Sequence, residues 1–240
     1  MQYNCEVVRG RSIIARLLSI VSPFGGYIAG GFARWALTIE DPIPTEDIDV
    51  YFQDEDKFYE LSALLYSWGC SVQYTSRFGI TWKIKGIDFP VQTIYPHAEL
   101  CGDPPFICNV FDIDVCRAAV WVENNNIQTF ANFNINDNNR TTSIHCARVY
   151  NPISTGRRLD KYKDRGFAVQ NSEYVFLDEI YYNATPEQRS KWGTFTYSGM
   201  ANPPEGFSIS KQKIRDVAKL IWNYTSDRPI YMGEESLCPF

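Results

Sequence analysis

Two aspartates one residue apart, Asp47 and Asp49, lie in the stretch Glu46-Asp47-Ile48-Asp49-Val50-Tyr51-Phe52. Ile48, Val50 and Phe52 alternate with Asp47, Asp49 and Tyr51, which is the period of a half-buried strand. Alternation sends both carboxylates to one face and the apolar set to the other. Carboxylates this close repel each other unless a cation lies between them or one keeps its proton. A divalent cation that takes oxygen ligands and leaves part of its shell to phosphates, Mg2+ (or Mn2+), suits such a pair. Asp47 and Asp49 are therefore the metal-ligand candidates.

Upstream, Tyr27-Ile28-Ala29 reads as a short strand, and Gly30-Gly31 then opens a helix running from Phe32 to about Ile39. Without Cβ atoms, Gly30 and Gly31 let a phosphate approach the backbone N–H groups at the helix start, where the dipole favours negative charge. Arg34, one helical turn after Gly31, is either within reach of that phosphate or on a solvated face. A glycine pair or an Asp-x-Asp is common by itself. The order strand, Gly-Gly, helix, loop, Asp-x-Asp strand is far more specific. It outlines a seat for a nucleotide triphosphate beside a metal-holding pair, the requirement of phosphoryl or nucleotidyl transfer.

The elements that must position these residues follow from periodicity and punctuation. Ile13, Ile14, Leu17, Leu18 and Val21 form one helical stripe over roughly 9–22, interrupted by Arg16, and so predict an amphipathic core helix rather than a signal peptide. The DPIPTE loop ends the second helix. DEDKFYELSALLYSWG predicts a helix with an acidic first turn and Gly69 at its end. SVQYTS, GITWKIK and DFPVQTIY predict three short strands. The apolar segment FICNVFDIDVCRAAVWV leads to the turn Asn124-Asn125-Asn126 and the strand IQTFANF, and 132–140 reads as an exposed Asn- and Asp-rich loop. Beyond about 141 the pattern turns helical and more basic, through RRLDKYKDRGF to a last helix in KQKIRDVAKLIWNY. The expected architecture is α+β, an α/β mixed sheet in a core over 1–145, with a mostly helical part over 146–240 that shares or adjoins that core.

The blocks around Gly30-Gly31 and Asp47-Ile48-Asp49-Val50 resemble the signature of the DNA polymerase β-like nucleotidyltransferase superfamily: a G-[GS] turn, a short helix, then D-h-[DE]-h on a strand, h being apolar. The resemblance spans about residues 24–95, with a gap slightly longer than usual. More narrowly, GGFAR, DIDVYF, PVQTIY, FDIDVC and KYKDRGF resemble nucleotidyltransferase-like proteins of large phages and giant viruses. The superfamily resemblance implies two metal ions held by two or three carboxylates, an NTP substrate and release of pyrophosphate. It also implies a third acid on a later strand. In DFPVQTIY the only acid is Asp88, the expected third catalytic residue beside Asp47 and Asp49. The position that best fits the h-[DE]-h pattern carries neutral Gln92, and Pro90 lies between the two. Asp112 and Asp114 form a second Asp-x-Asp without a preceding glycine pair and read as structural or as supporting the site from behind. Arg158, Lys161 and Arg165 form one basic stripe, so Lys161 and Arg165 join Gly30, Gly31 and Arg34 as nucleotide-binding candidates, or lie on a solvated face.

The whole chain bounds the remaining possibilities. Its 240 residues are 45% hydrophobic and 21% charged, with a formal net charge of −5, which argues against a general nucleic-acid-coating role. Seven cysteines without C-x-x-C spacing and only two histidines make a zinc site or a disulfide framework an unsuitable reading. That cysteine usage fits a reducing compartment, the cytoplasm (of a host cell if viral), and leaves the sequons at Asn139, Asn183 and Asn223 without meaning. No stretch has the ~20 apolar residues of a membrane span. The expected partners are an NTP and an acceptor, RNA or protein. Two alternatives stand beside the transferase: an inactive relative that binds nucleotide, RNA or protein, favoured by Gln92, and an interaction protein whose acids are merely solvated.

Overall fold

The computed structural model describes residues 11–38, 46–97, 100–133, 140–194 and 207–226. The Pro42–Pro44 loop, the loop at 134–139 and the expected end of the second helix at Ile39 lie outside them. The described residues build a mixed seven-stranded sheet in the order β3-β4-β5-β2-β1-β6-β7. Its strands are β1 (Tyr27–Ala29), β2 (Ile48–Tyr51), β3 (Ser71–Thr75), β4 (Gly79–Lys83), β5 (Val91–Ile94), β6 (Ala118–Glu123) and β7 (Asn126–Ala131). Only β2 and β5 pair in parallel, and the other neighbours are antiparallel. A second, two-stranded parallel sheet joins β8 (Thr141–Thr142) to β9 (Ala168–Val169).

One face of the large sheet carries the main core. Ile28, Ile48, Val50, Ile80, Trp82, Val91 and Val120 pack there against α1 (Arg11–Val21), α2 (Gly31–Leu37) and α3 (Glu55–Ser67). The helical stripe anticipated in the first segment is the one that is buried: Ile14, Leu17, Leu18 and Val21 are nearly inaccessible. α3 starts where its sequence says it should, with the Asp54 carboxylate accepting from the Lys57 N–H at 2.8 Å and Glu55 and Asp56 in the positive first turn. Gly79 is needed where β4 meets β5, because a Cβ there would stand 2.2 Å from the Thr93 carbonyl oxygen. The turn Asn124-Asn125 has positive φ at both residues and joins β6 to β7 as a two-residue hairpin.

The other face holds a smaller cluster, Tyr27, Ala29, Tyr51, Ile94 and Ala119, covered by α4 (Pro104–Cys108) and Phe111. The long apolar segment 106–122 thus divides into the end of α4, a connection and β6. A third cluster unites Ile113, Val115 and Ile144 with Leu159, Tyr162, Phe167 and Leu177. Those last residues come from α5 (Pro152–Asp164), the turn after it and α6 (Asn171–Asn183); α7 (Pro186–Thr194) follows. α5 begins five residues before RRLDKYKDRGF, because Asn151 caps it through Ile153 and Ser154 N–H and Pro152 needs no donor at its first position. α8 (Lys211–Ser226) returns to the first core: Ile209 and Ile214 pack there, Tyr59 Oη accepts from Ser210 N–H at 3.2 Å, and Lys213 Nζ reaches Glu55 at 3.2 Å. Lys213 on α8 thereby meets the acidic first turn of α3. Among the described residues no helix is long and apolar enough to cross a membrane, and the five described cysteines are free thiols.

Candidate functional site

The sheet brings the glycine turn and the aspartate pair together. β1 and β2 pair antiparallel with Ala29 opposite Asp49, so the residue before Gly30 lies beside the second carboxylate. Gly30 has φ +86° and ψ −147°, a conformation suited to glycine. A Cβ built on it would stand 3.7 Å from Asp49 Oδ2 and 3.6 Å from the Phe111 ring. Any larger residue would therefore narrow the space in front of the carboxylate. The Gly30 N–H itself donates to the Ala118 carbonyl at 2.9 Å, so it anchors the turn to β6 rather than facing a ligand. Gly31 is the first residue of α2, whose first-turn amides have no intrahelical acceptors.

Asp47 and Asp49 are both half-buried, while Ile48 and Val50 are fully inside. Burial raises the Asp49 carboxyl well above the usual range, the neighbouring Asp47 charge adds to that, and Lys161 opposes it. Asp47 is raised by burial first and by Glu46, against Lys161 and Arg165. Two carboxylates that are costly to ionise side by side are stabilised by a divalent cation. The pair could hold a divalent cation.

The parallel pairing of β2 with β5 decides what lies on the far side. Ile48, Asp49 and Val50 stand in register with Val91, Gln92 and Thr93. Gln92 therefore shares the Asp49 face. Asp88 does not take that position. It is exposed in the connection before β5, two residues ahead of Pro90, whose carbonyl accepts the Ile48 N–H at 2.9 Å. Pro90 ends the connection and the strand begins only at Val91, so even spacing from Gln92 does not carry Asp88 onto the strand face. Among the described residues, no cluster of three His, Cys, Asp or Glu side chains is placed to hold a metal.

α5 supplies the other wall. Lys161 Nζ stands 3.1 Å from a Glu46 carboxylate oxygen, and Arg165 reaches the other oxygen at 3.8 Å. These residues, with Arg157, Asp160 and Asp164, line an open pocket of about 380 Å3. The basic stripe is thus divided: Lys161 and Arg165 face the acid pair, whereas Arg158 turns to Asp112. Glu46 escaped the sequence reading, because an acid in a polar loop carries no signal until α5 is seen to close on it.

Arg34 takes neither of the places expected of it, a phosphate contact or a solvated helix face. It is fully buried (0% exposed), with its guanidinium 5.4 Å from the Tyr162 ring centre and 5.2 Å from that of Phe167. It lies between α2 and the α5 end of the chain and binds them through cation–π contacts rather than presenting a donor to a phosphate. Asp112 and Asp114 are structural. Asp112 accepts from Thr155 Oγ1 and from the Arg158 guanidinium, and Asp114 accepts from Ser143 Oγ and, at 3.2 Å, from Arg117.

Several solved structures resemble this chain in fold. The chain matches a tRNA-processing enzyme in an apo form at TM-score 0.55 and 15% identity, over 94% of this chain and 68% of that one. The fold is nucleotidyltransferase-like. A tRNA nucleotidyltransferase solved with a primer tRNA and an ATP analogue matches at TM-score 0.50 and 15% identity, over 90% and 62%. The Thermotoga maritima CCA-adding enzyme, solved with tRNA, matches at 0.52 and 14%, over 78% and 47%. This chain spans about half to two thirds of the length of such neighbours. No family model and no curated protein sequence matches it. At these identities the nucleotidyltransferase-like likeness concerns the fold, and the chemistry rests on the site.

Proposed function

We propose that the protein transfers a nucleoside monophosphate from an NTP to an acceptor hydroxyl, releasing pyrophosphate. The observation that carries this is the contact between the glycine turn and the carboxylate pair: Gly30 leaves open the space that Asp49 borders. Asp47 and Asp49 would hold the divalent cation, Mg2+ or Mn2+, and that ion would withdraw charge from the phosphates and ease departure of pyrophosphate. Gly30 and Gly31 keep the approach to the pair clear of side chains. Lys161 and Arg165 place positive charge on the α5 side, where Glu46, Asp160 and Asp164 would otherwise repel a triphosphate tail. Buried Arg34 and Tyr162 hold α5 against α2, so that Lys161 stays beside the pair. An RNA hydroxyl is the first acceptor to try, since two of the similar structures contain tRNA.

A second reading is favoured by Gln92. With a neutral amide in register with Asp49, the protein is a nucleotide-binding relative without turnover. Labelled NTPs with Mg2+ and an RNA pool separate the two. Transfer of label that Asp49→Ala lowers by about 10³-fold or more, roughly the few kcal/mol a metal contributes to the transition state, supports the transferase. NTP binding without transfer supports the inactive relative. Loss of neither binding nor transfer in Asp49→Ala refutes the site itself.

A further inference from the structure

Two divalent ions serving one phosphate lie only ~3.5–4 Å apart and repel strongly, so each needs anionic ligands on its own side as well as those it shares. Among the described residues, the acid next to the pair, Glu46, is already engaged by Lys161 and Arg165 and so is not left over for a second ion. On the β5 side the residue in register with Asp49 is Gln92. Its side chain offers a carbonyl oxygen but no charge. On the α5 side stands a cation: Lys161 Nζ is 3.1 Å from Glu46, the residue before Asp47, with Arg165 behind it at 3.8 Å. One flank of the acid pair is neutral, and on the other Lys161 and Arg165 stand between the pair and Glu46 as fixed cations. The described residues bring no third acid, cysteine or histidine into a ligand cluster.

We infer that the Asp47–Asp49 pair holds a single divalent cation, and that the Lys161 ammonium supplies the fixed positive charge on the flank where a second ion would otherwise sit. The inference rests on the metal-dependent reading above and refines it. Gln92 sets the limit from the strand side and Lys161 from the helix side. The pair remains sufficient for one ion, with Gln92 Oε1 available as a neutral ligand.

Electron paramagnetic resonance of bound Mn2+ tests this on the full chain, first with Mn2+ alone and then with a non-hydrolysable α,β-methylene ATP. The expected result is one tightly held Mn2+ per chain with the six-line spectrum of an isolated ion. An exchange-coupled pair of ions in the wild type overturns the inference while leaving the metal-dependent function intact. Weak binding that is the same in Asp49→Asn overturns both. Gln92→Glu is expected to lower the dissociation constant of a second ion by tenfold or more and to give a coupled spectrum. Lys161→Gln, on a partly exposed helix face, is expected to move in the same direction and serves if the strand variant does not fold. Isolated-ion spectra from folded forms of both variants refute the roles given to Gln92 and Lys161.

Discussion

Asp47-Ile48-Asp49 lies on β2 in the middle of the large sheet, whereas Asp112-Ile113-Asp114 lies in the connection between α4 and β6. Both triplets bury their central isoleucine completely. What surrounds the acids differs. Asp112 meets the Arg158 guanidinium and the Thr155 hydroxyl, and Asp114 meets Arg117 and Ser143. Each acid of the second pair is thus answered by a cation and a hydroxyl, and the two tie α5 and the β8 strand segment to the rest of the chain. The first pair has a neutral amide on one side, the bare Cα of Gly30 on another and Lys161 on the α5 side, yet burial still pushes its carboxyls up. Acids that hold a fold together are neutralised by their neighbours. Acids that are left costly to ionise are suited to an incoming cation.

The contrast is broken most sharply by removing charge from each pair in turn. Asp112→Asn leaves Arg158 facing a neutral group. A buried ion pair that loses one partner costs ~3–5 kcal/mol, and because Arg158 is about a quarter exposed the expected loss is nearer about 2–3 kcal/mol. Chemical denaturation should show it as a lower midpoint with unchanged slope. A loss below about 0.5 kcal/mol would mean that this pair is not structural.

Asp49→Asn should act in the opposite direction. The folded state raises the Asp49 carboxyl, so at neutral pH its ionised form is carried at a cost that the unfolded chain does not bear. With chelator present, Asp49→Asn should gain about 1 kcal/mol, or ~2–4 °C in melting temperature for a chain of this size. The sign of the pH dependence follows. As pH falls through the raised folded value, the native wild type takes up a proton that the unfolded chain does not yet bind. The advantage of Asn therefore shrinks toward acid and is gone below the unfolded value of ~4. A melting temperature lowered by the substitution would show that Asp49 is held by contacts of the Asp112 kind.

How much of this was legible beforehand depended on whether the information was local. The β2 alternation, the Gly30-Gly31 turn and the acidic start of α3 are local patterns, and each formed where its residues indicated. Gln92 could be singled out by its place between Val91 and Thr93, but its alignment with Asp49 required the parallel pairing of two strands more than 40 residues apart. Asp88 was chosen as the only acid in DFPVQTIY, but it precedes Pro90, and the strand begins only at Val91. Arg34 was read as reaching a phosphate or lying on a solvated face, because its burial depends on Tyr162 and Phe167, over a hundred residues later, folding onto it. The return of α8 to α3 has a faint signature in the basic residues of one and the acidic start of the other, which became specific only once Lys213 met Glu55 and Asp56.

The smallest expected effect lies within the second pair and tests whether burial or mere pairing sets the energy. Asp114 forms its contact with Arg117 at 3.2 Å with about a third of its side chain exposed, and Arg117 is itself mostly buried. Solvent screens the carboxylate, and an amide in its place still accepts from Ser143 Oγ. Asp114→Asn should therefore cost only about 0.5–1 kcal/mol, less than half the loss in Asp112→Asn. Neither substitution should diminish the rise in melting temperature expected of the wild type with Mg2+, since that rise would report binding at the first pair. If Asp114→Asn abolished the Mg2+ effect while Asp49→Asn preserved it, the assignment of the two Asp-x-Asp triplets would have to be exchanged.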